Sequence, residues 1–121
     1  MGNTGKCVNP IDQKKLLEDC DLEQAYANRC LHLFARGTEA DMRIIASALA
    51  DGDLPHVARI AHRIKGASAT IRAEFLRVRA AKLEGLAESG DPDVARECFR
   101  SLQAEFERFN EYIAALLRVD D

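Results

Sequence analysis

His62 is the residue of this 121-residue chain best placed to do chemistry, and it lies in the stretch Ala61-His62-Arg63-Ile64-Lys65-Gly66-Ala67-Ser68-Ala69. Neutral imidazole is a good nucleophile near pH 7, so a histidine held out in solvent can carry a transferred group. Lys65, three positions on, shares its helical face and brings an ammonium beside whatever the imidazole carries. With each residue advancing about 100° around a helix, Val57, Ile60, Ile64, Ala67 and Ile71 fall within about 40° of the side opposite His62 and form a core stripe. The wheel neighbours of His62 are Ala58, Lys65, Gly66 and Ala69, all within about 60°. Glycine inside a helix costs about 1 kcal/mol relative to alanine, so Gly66 asks for a reason, and close approach of another molecule to His62 supplies one. An isolated solvent-facing histidine is usually only a polar surface residue. The combination of ledge, cation and apolar stripe sets this one apart.

These residues resemble the histidine-containing phosphotransfer (HPt) domain of multistep two-component phosphorelays. The likeness runs through Ala61 to Ala69, then Phe75-Leu76 and Lys82-Leu83-Glu84, and upstream to Leu33-Phe34 and Ala50-Asp51-Gly52-Asp53, covering about Asn9 to Leu117. Two positions depart from the family: it often has glycine where this chain has Ala69, and usually has glycine at Arg72.

The resemblance implies a carrier, not an autonomous kinase. His62 would accept a phosphoryl group from an aspartyl phosphate on a receiver domain and pass it to another response-regulator receiver. Lys65 would neutralise charge, and Glu84 would hold the imidazole by accepting the proton of the ring nitrogen that does not attack. Ala58, Arg59, Gly66 and Ala69 would lie under the docked partner, and Arg72, about 80° from His62 on the same wheel, would lie at the edge of its footprint. The partners implied are receiver domains of response regulators or a hybrid sensor histidine kinase. The chain would need no cofactor of its own, because Mg2+ would come with the receiver. The alternative is a helical docking module that binds receivers without carrying phosphate. Against an independent enzyme, the chain has no Gly-rich phosphate loop, paired-carboxylate motif or Ser/His/Asp arrangement.

The elements that must position these residues are helices. Alanine, leucine, glutamate and arginine dominate, glycine and proline are few, and period-2 alternation is absent. A hydrophobic content of 47% in a chain of this length is enough for one core. The expected fold is an all-α, antiparallel up-and-down four-helix bundle with a short extra N-terminal helix, spanning residues 10–119 behind a flexible lead-in at 1–9.

Pro10-Ile11-Asp12 opens the short helix, and Asp21 stops it as the next N-cap. Leu22, Ala25, Tyr26, Cys30, Leu33 and Phe34 form the next stripe, which breaks or bends near Gly37. Thr38 and Asp41 then resemble a capping box restarting the helix through Met42, Ile45 and Leu49, ending at Gly52. Asp53 caps the histidine helix, which runs to about Ile71. Leu76, Ala80, Leu83 and Ala87 mark a helix from Ala73 to Glu88, and Asp91-Pro92 opens the last, striped by Phe99, Leu102, Phe106, Phe109, Ile113 and Leu116.

The net charge of −3 argues against nucleic-acid binding. Locally, Arg59, Arg63, Lys65, Arg72, Arg77, Arg79 and Lys82 surround the histidine with only Glu74 opposing them, giving the site a positive field. Cys7, Cys20, Cys30 and Cys98 are irregularly spaced and read as reduced thiols of a cytoplasmic protein, with Cys98 in the core. Neither His32 nor His56 has partners at metal-ligand spacing. No apolar run reaches the roughly 20 residues of a membrane span, and a monomer is expected.

Overall fold

Five helices, α1 (Gln13–Asp19), α2 (Gln24–Ala50), α3 (Leu54–Thr70), α4 (Glu74–Ser89) and α5 (Pro92–Arg118), make up most of residues 9–118, the part of the chain that the computed structural model describes. The expected lead-in at 1–9 falls almost wholly outside those residues, and Cys7 with it. Aspartates open three of the helices by taking up free N–H groups of the first turn. Asp12 accepts from the amide of Lys15, Asp53 from that of His56, and Asp91 from those of Asp93 and Val94. The α4 helix stops at Gly90, whose φ of +86° is the left-handed conformation that glycine adopts without a Cβ clash.

Short turns force consecutive long helices to run antiparallel. Three cross-helix contacts mark the register: Asp41 with Arg63, His62 with Glu84, and Arg79 with Ser101. The members of each pair are 22 residues apart, centred on Gly52, Ala73 and Gly90 respectively. Contacts between α2 and α5 close the ring into a four-helix bundle, and α1 lies across one end. There the amide of Asp12 donates to the Arg72 carbonyl at 3.0 Å, and the Gln13 side chain bonds the Tyr112 hydroxyl. The core runs the length of the bundle, with Phe34 edge-on to Phe109 at a centroid separation of 5.1 Å. This is the all-α architecture expected from the stripes, short extra helix included.

Four local expectations are corrected. The α2 helix runs unbroken through Gly37, and Thr38 is buried on its inner face instead of capping a restart. At its start the buried residues are Ala27, Leu31 and Phe34, while Leu22, Tyr26 and Leu33 face solvent, Leu33 with 69% of its surface exposed. The two sets have similar three-and-four spacing, and only the packing of α1, α3 and α5 decides between them. Asp21 does not cap α2: it and Leu22 have φ of +55° and +63°, and Glu23 holds the cap position.

The fourth correction concerns α3. Ala67, expected in the core, is exposed, whereas Ala61 and Ser68 are fully buried. The buried face is centred on Val57, Ala61, Ile64 and Ser68, about 50° around the helix from the side opposite His62. It turns toward α4, the neighbour against which α3 packs most extensively. Small residues at Ala61 and Ser68 on α3, and Ala80 and Ala87 on α4, permit that close approach.

Ser68 carries a cost, because its buried hydroxyl has no hydrogen-bond partner. An unsatisfied buried polar group costs about 1–3 kcal/mol. Ser68→Ala keeps the small volume and removes the hydroxyl, so it should raise stability by about 1 kcal/mol in a urea titration. A midpoint lower than the parent's would show that the hydroxyl is satisfied in solution.

Candidate functional site

The one-turn offset between Asp53 and Val57 sets the phase of α3 and leaves His62 on the outside, with 66% of its side chain exposed. The antiparallel turn at residues 71–73 then brings α4 alongside in the register that puts Glu84 opposite. His62 Nδ1 lies 2.9 Å from Glu84 Oε2, and Lys65 Nζ lies 2.9 Å from Glu84 Oε1. Both carboxylate oxygens are therefore engaged, on a side chain only 18% exposed. The Lys65 bond chiefly, and that of His62 after it, hold the Glu84 carboxyl below its ordinary range against the opposing effect of desolvation. The contribution of this cluster to stability is present above the ordinary carboxylate range and is lost as pH falls through the lowered value.

A carboxylate can only accept from Nδ1, so the neutral ring carries its proton there and Nε2 keeps its lone pair. The arrangement can thus perform nucleophilic attack by Nε2, with the second nitrogen's proton already bonded to an anion. His62 sits at a shallow concavity whose other walls are Pro55, Ala58, Arg59, Glu84 and Glu88. Among the described residues no group of three or more His, Cys, Asp or Glu side chains is gathered as a metal ion would require.

The family model for the Hpt domain matches residues 29–115. The chain belongs to the Hpt domain family. This Hpt domain also superimposes on the crystal structure of histidine-containing phosphotransfer protein B (HptB) from Pseudomonas aeruginosa PAO1, with a TM-score of 0.82 and 22% identity. The match covers 90% of this chain and 95% of that one, and shows a shared fold. No curated protein gives a significant match.

Within this Hpt domain, His62, Lys65 and Glu84 come together as one hydrogen-bonded cluster. Gly66 and Ala69 are exposed on the same helix. A Cβ added at Gly66 would meet nothing within 4 Å, so the protein's own packing does not require glycine there. The same is true of Gly37 and Gly85, so open space alone does not single Gly66 out. Ala58, expected on the open ledge, is largely covered at 8% exposure, because the rotation of α3 toward α4 carries it under its neighbour.

Arg72 is not on the helical wheel at all. It follows the α3 C-cap Ile71 with φ of +64°, the left-handed region that glycine tolerates best. Ten residues past His62, it lies about 15 Å further along the helix axis. Its guanidinium grips both oxygens of Asp19, at 2.8 and 3.1 Å, tying α1 to the α3–α4 turn. Arg72 therefore does not share the face of α3 that carries His62.

The expected positive field is likewise mostly cancelled. Arg63 pairs with Asp41, Lys65 with Glu84, Arg72 with Asp19, Arg77 with Glu74 and Arg79 with Glu105. Except for Glu74, these carboxylates lie far off in the sequence, on α1, α2, α4 and α5. Arg59 and Lys82 are left without a carboxylate partner among the described residues. Pro55 and Glu88 were missed as neighbours of the histidine. Glu88 is one turn beyond Glu84 on the same face of α4, which is the signal that finds it.

Proposed function

We propose that this Hpt domain is a phosphorelay carrier: His62 accepts a phosphoryl group from the aspartyl phosphate of one receiver and yields it to the aspartate of another. The observation that carries this reading is an exposed histidine whose Nδ1 is bonded to Glu84 at 2.9 Å. In the forward step the lone pair of Nε2 forms the N–P bond as the acyl O–P bond breaks and the receiver's carboxylate leaves. The imidazole then bears a positive charge, which the Glu84 carboxylate stabilises through the Nδ1 proton. In the return step a receiver carboxylate attacks phosphorus and the N–P bond breaks, restoring the neutral ring.

Phosphoryl transfer depends more on positioning and charge compensation than on covalent chemistry from the protein, and a compact helical carrier supplies positioning. Transfer runs between bound partners, and the domain has no kinase activity of its own. Lys65 acts through Glu84, fixing the carboxylate that fixes the ring. Gly66 and Ala69 leave room on α3 for the partner's loops. We further propose that the domain works as a monomer in the cytoplasm, where Cys20, Cys30 and Cys98, free in the structure, would stay reduced. Burial pushes the Cys20 and Cys98 thiols up, which makes them poor nucleophiles.

The roles of Glu84 and Lys65 are tested by alanine substitution at each. Glu84→Ala should slow transfer from a phosphorylated receiver by about 100-fold, in the range of acid–base contributions. Lys65→Ala should slow it less, by about tenfold, because its effect passes through Glu84. Both proteins should keep the parent's helical signal and stay folded at the assay temperature, melting somewhat lower for the bonds to Glu84 that they give up. Transfer at the parent's rate in Glu84→Ala would mean that the ring needs no partner.

A further inference from the structure

We infer that Arg59 is the cation that binds the phosphoryl group once His62 carries it, an inference that rests on His62 being the acceptor. Three cations flank the histidine on α3, and two are already committed. Arg63 is held by Asp41 through bonds of 2.6 and 3.3 Å, and Lys65 by Glu84 at 2.9 Å. Arg59 is exposed and makes no ion pair or side-chain hydrogen bond among the described residues.

Direction points the same way. Side chains on a helix lean toward its N-terminus, so the imidazole of His62 lies over the preceding turn, which carries Ala58 and Arg59. The concavity beside His62 is accordingly lined by Pro55, Ala58 and Arg59 from α3, and by Glu84 and Glu88 from α4. Lys65 is not among its walls. With Nδ1 turned to Glu84, Nε2 is the nitrogen left for the phosphorus.

Charge gives Arg59 its task. A phosphoryl group on Nε2 brings close to two negative charges into a concavity already bearing the Glu84 and Glu88 carboxylates. Lys65 offsets Glu84, and nothing in the described residues pairs with Glu88. A guanidinium one turn before the histidine can donate two parallel N–H bonds to phosphoryl oxygens, a geometry an ammonium does not reproduce. Residues three apart on a helix have Cβ atoms about 5–6 Å apart, within reach of the arginine side chain.

The test uses the isolated protein and phosphoramidate, a small donor that needs no partner, with phosphohistidine followed by 31P NMR. A bound guanidinium favours the doubly charged phosphoryl group, so Arg59→Gln should raise the midpoint of its 31P titration by about half a unit or more. Arg59→Lys should restore part of that shift, and Arg63→Gln should produce none. An unmoved midpoint in Arg59→Gln, or a larger shift from Arg63→Gln, overturns the inference and leaves the carrier reading standing. Absence of phosphohistidine on the parent protein with phosphoramidate and also with a phosphorylated receiver overturns both. Arg59→Gln and Arg59→Lys change an exposed, unpaired side chain and should melt with the parent, which separates a binding effect from a folding one; Arg63→Gln gives up the pair with Asp41 and is judged by its titration alone.

Discussion

Ile64→Asp should leave the protein largely unfolded at room temperature, whereas Ala67→Asp, less than one turn further along α3, should melt with the parent. Ile64 is completely buried, between Val57, Ala61 and Ser68 on the face of α3 turned to the core. Losing a buried isoleucine side chain removes about 1.5–3 kcal/mol of transfer free energy. A carboxylate in its place has no partner, and an uncompensated buried charge costs about 3–5 kcal/mol more. Together these approach the whole stability of a small domain, about 5–15 kcal/mol. Ala67 is exposed, and a surface substitution changes stability by no more than about 0.5 kcal/mol. Urea titrations of the two variants decide the matter. Equal destabilisation of both would mean that the core face of α3 is directly opposite His62 and that the rotation toward α4 is absent in solution.

His62→Gln should abolish phosphate uptake from a phosphorylated receiver while shifting stability by no more than about 0.5 kcal/mol. Glutamine keeps a polar side chain at an exposed position and removes the nucleophile. Glu84 retains Lys65 at 2.9 Å, so the substitution leaves no orphaned carboxylate. The assay is phosphate transfer paired with a thermal melt of the same sample. A melt far below the parent's would make His62 a packing residue, contrary to its 66% exposure.

What could be read from the sequence follows the range of the interactions involved. Asp12, Asp53 and Asp91 act on amides two or three residues away, so the helix starts were legible from local spacing. The stripe of α5, from Phe99 to Ile113, is long and apolar enough to define its own buried face. By contrast, α2 offers two apolar rows, one through Tyr26 and Leu33 and one through Ala27, Leu31 and Phe34. Nothing within the helix says which row the bundle covers. The same limit applies to α3, where Ala67 and Ser68 are adjacent small residues and α4 alone chooses between them.

The candidate site divides in the same way. His62 and Lys65 share one helix, and their common face is a matter of periodicity. Glu84 came from the resemblance, although the short turn centred on Ala73 places the two residues opposite each other once both helices are assigned. The charges were misjudged because Asp19, Asp41 and Glu105 come from other helices, and an ion pair across the bundle leaves no trace in local spacing. Arg72 was misjudged for a different reason: a wheel assumes helical dihedrals, and its φ of +64° takes it out of the helix.

The measurement that bears most directly on the carrier reading is the location of phosphate after the unmodified protein is mixed with a phosphorylated receiver. The phosphoryl group should appear on Nε2 of His62, labile in acid and stable in base, with the receiver's phosphate falling in step. Phosphate on another residue, or none at all while the two proteins demonstrably bind, would contradict it and leave a docking module in its place.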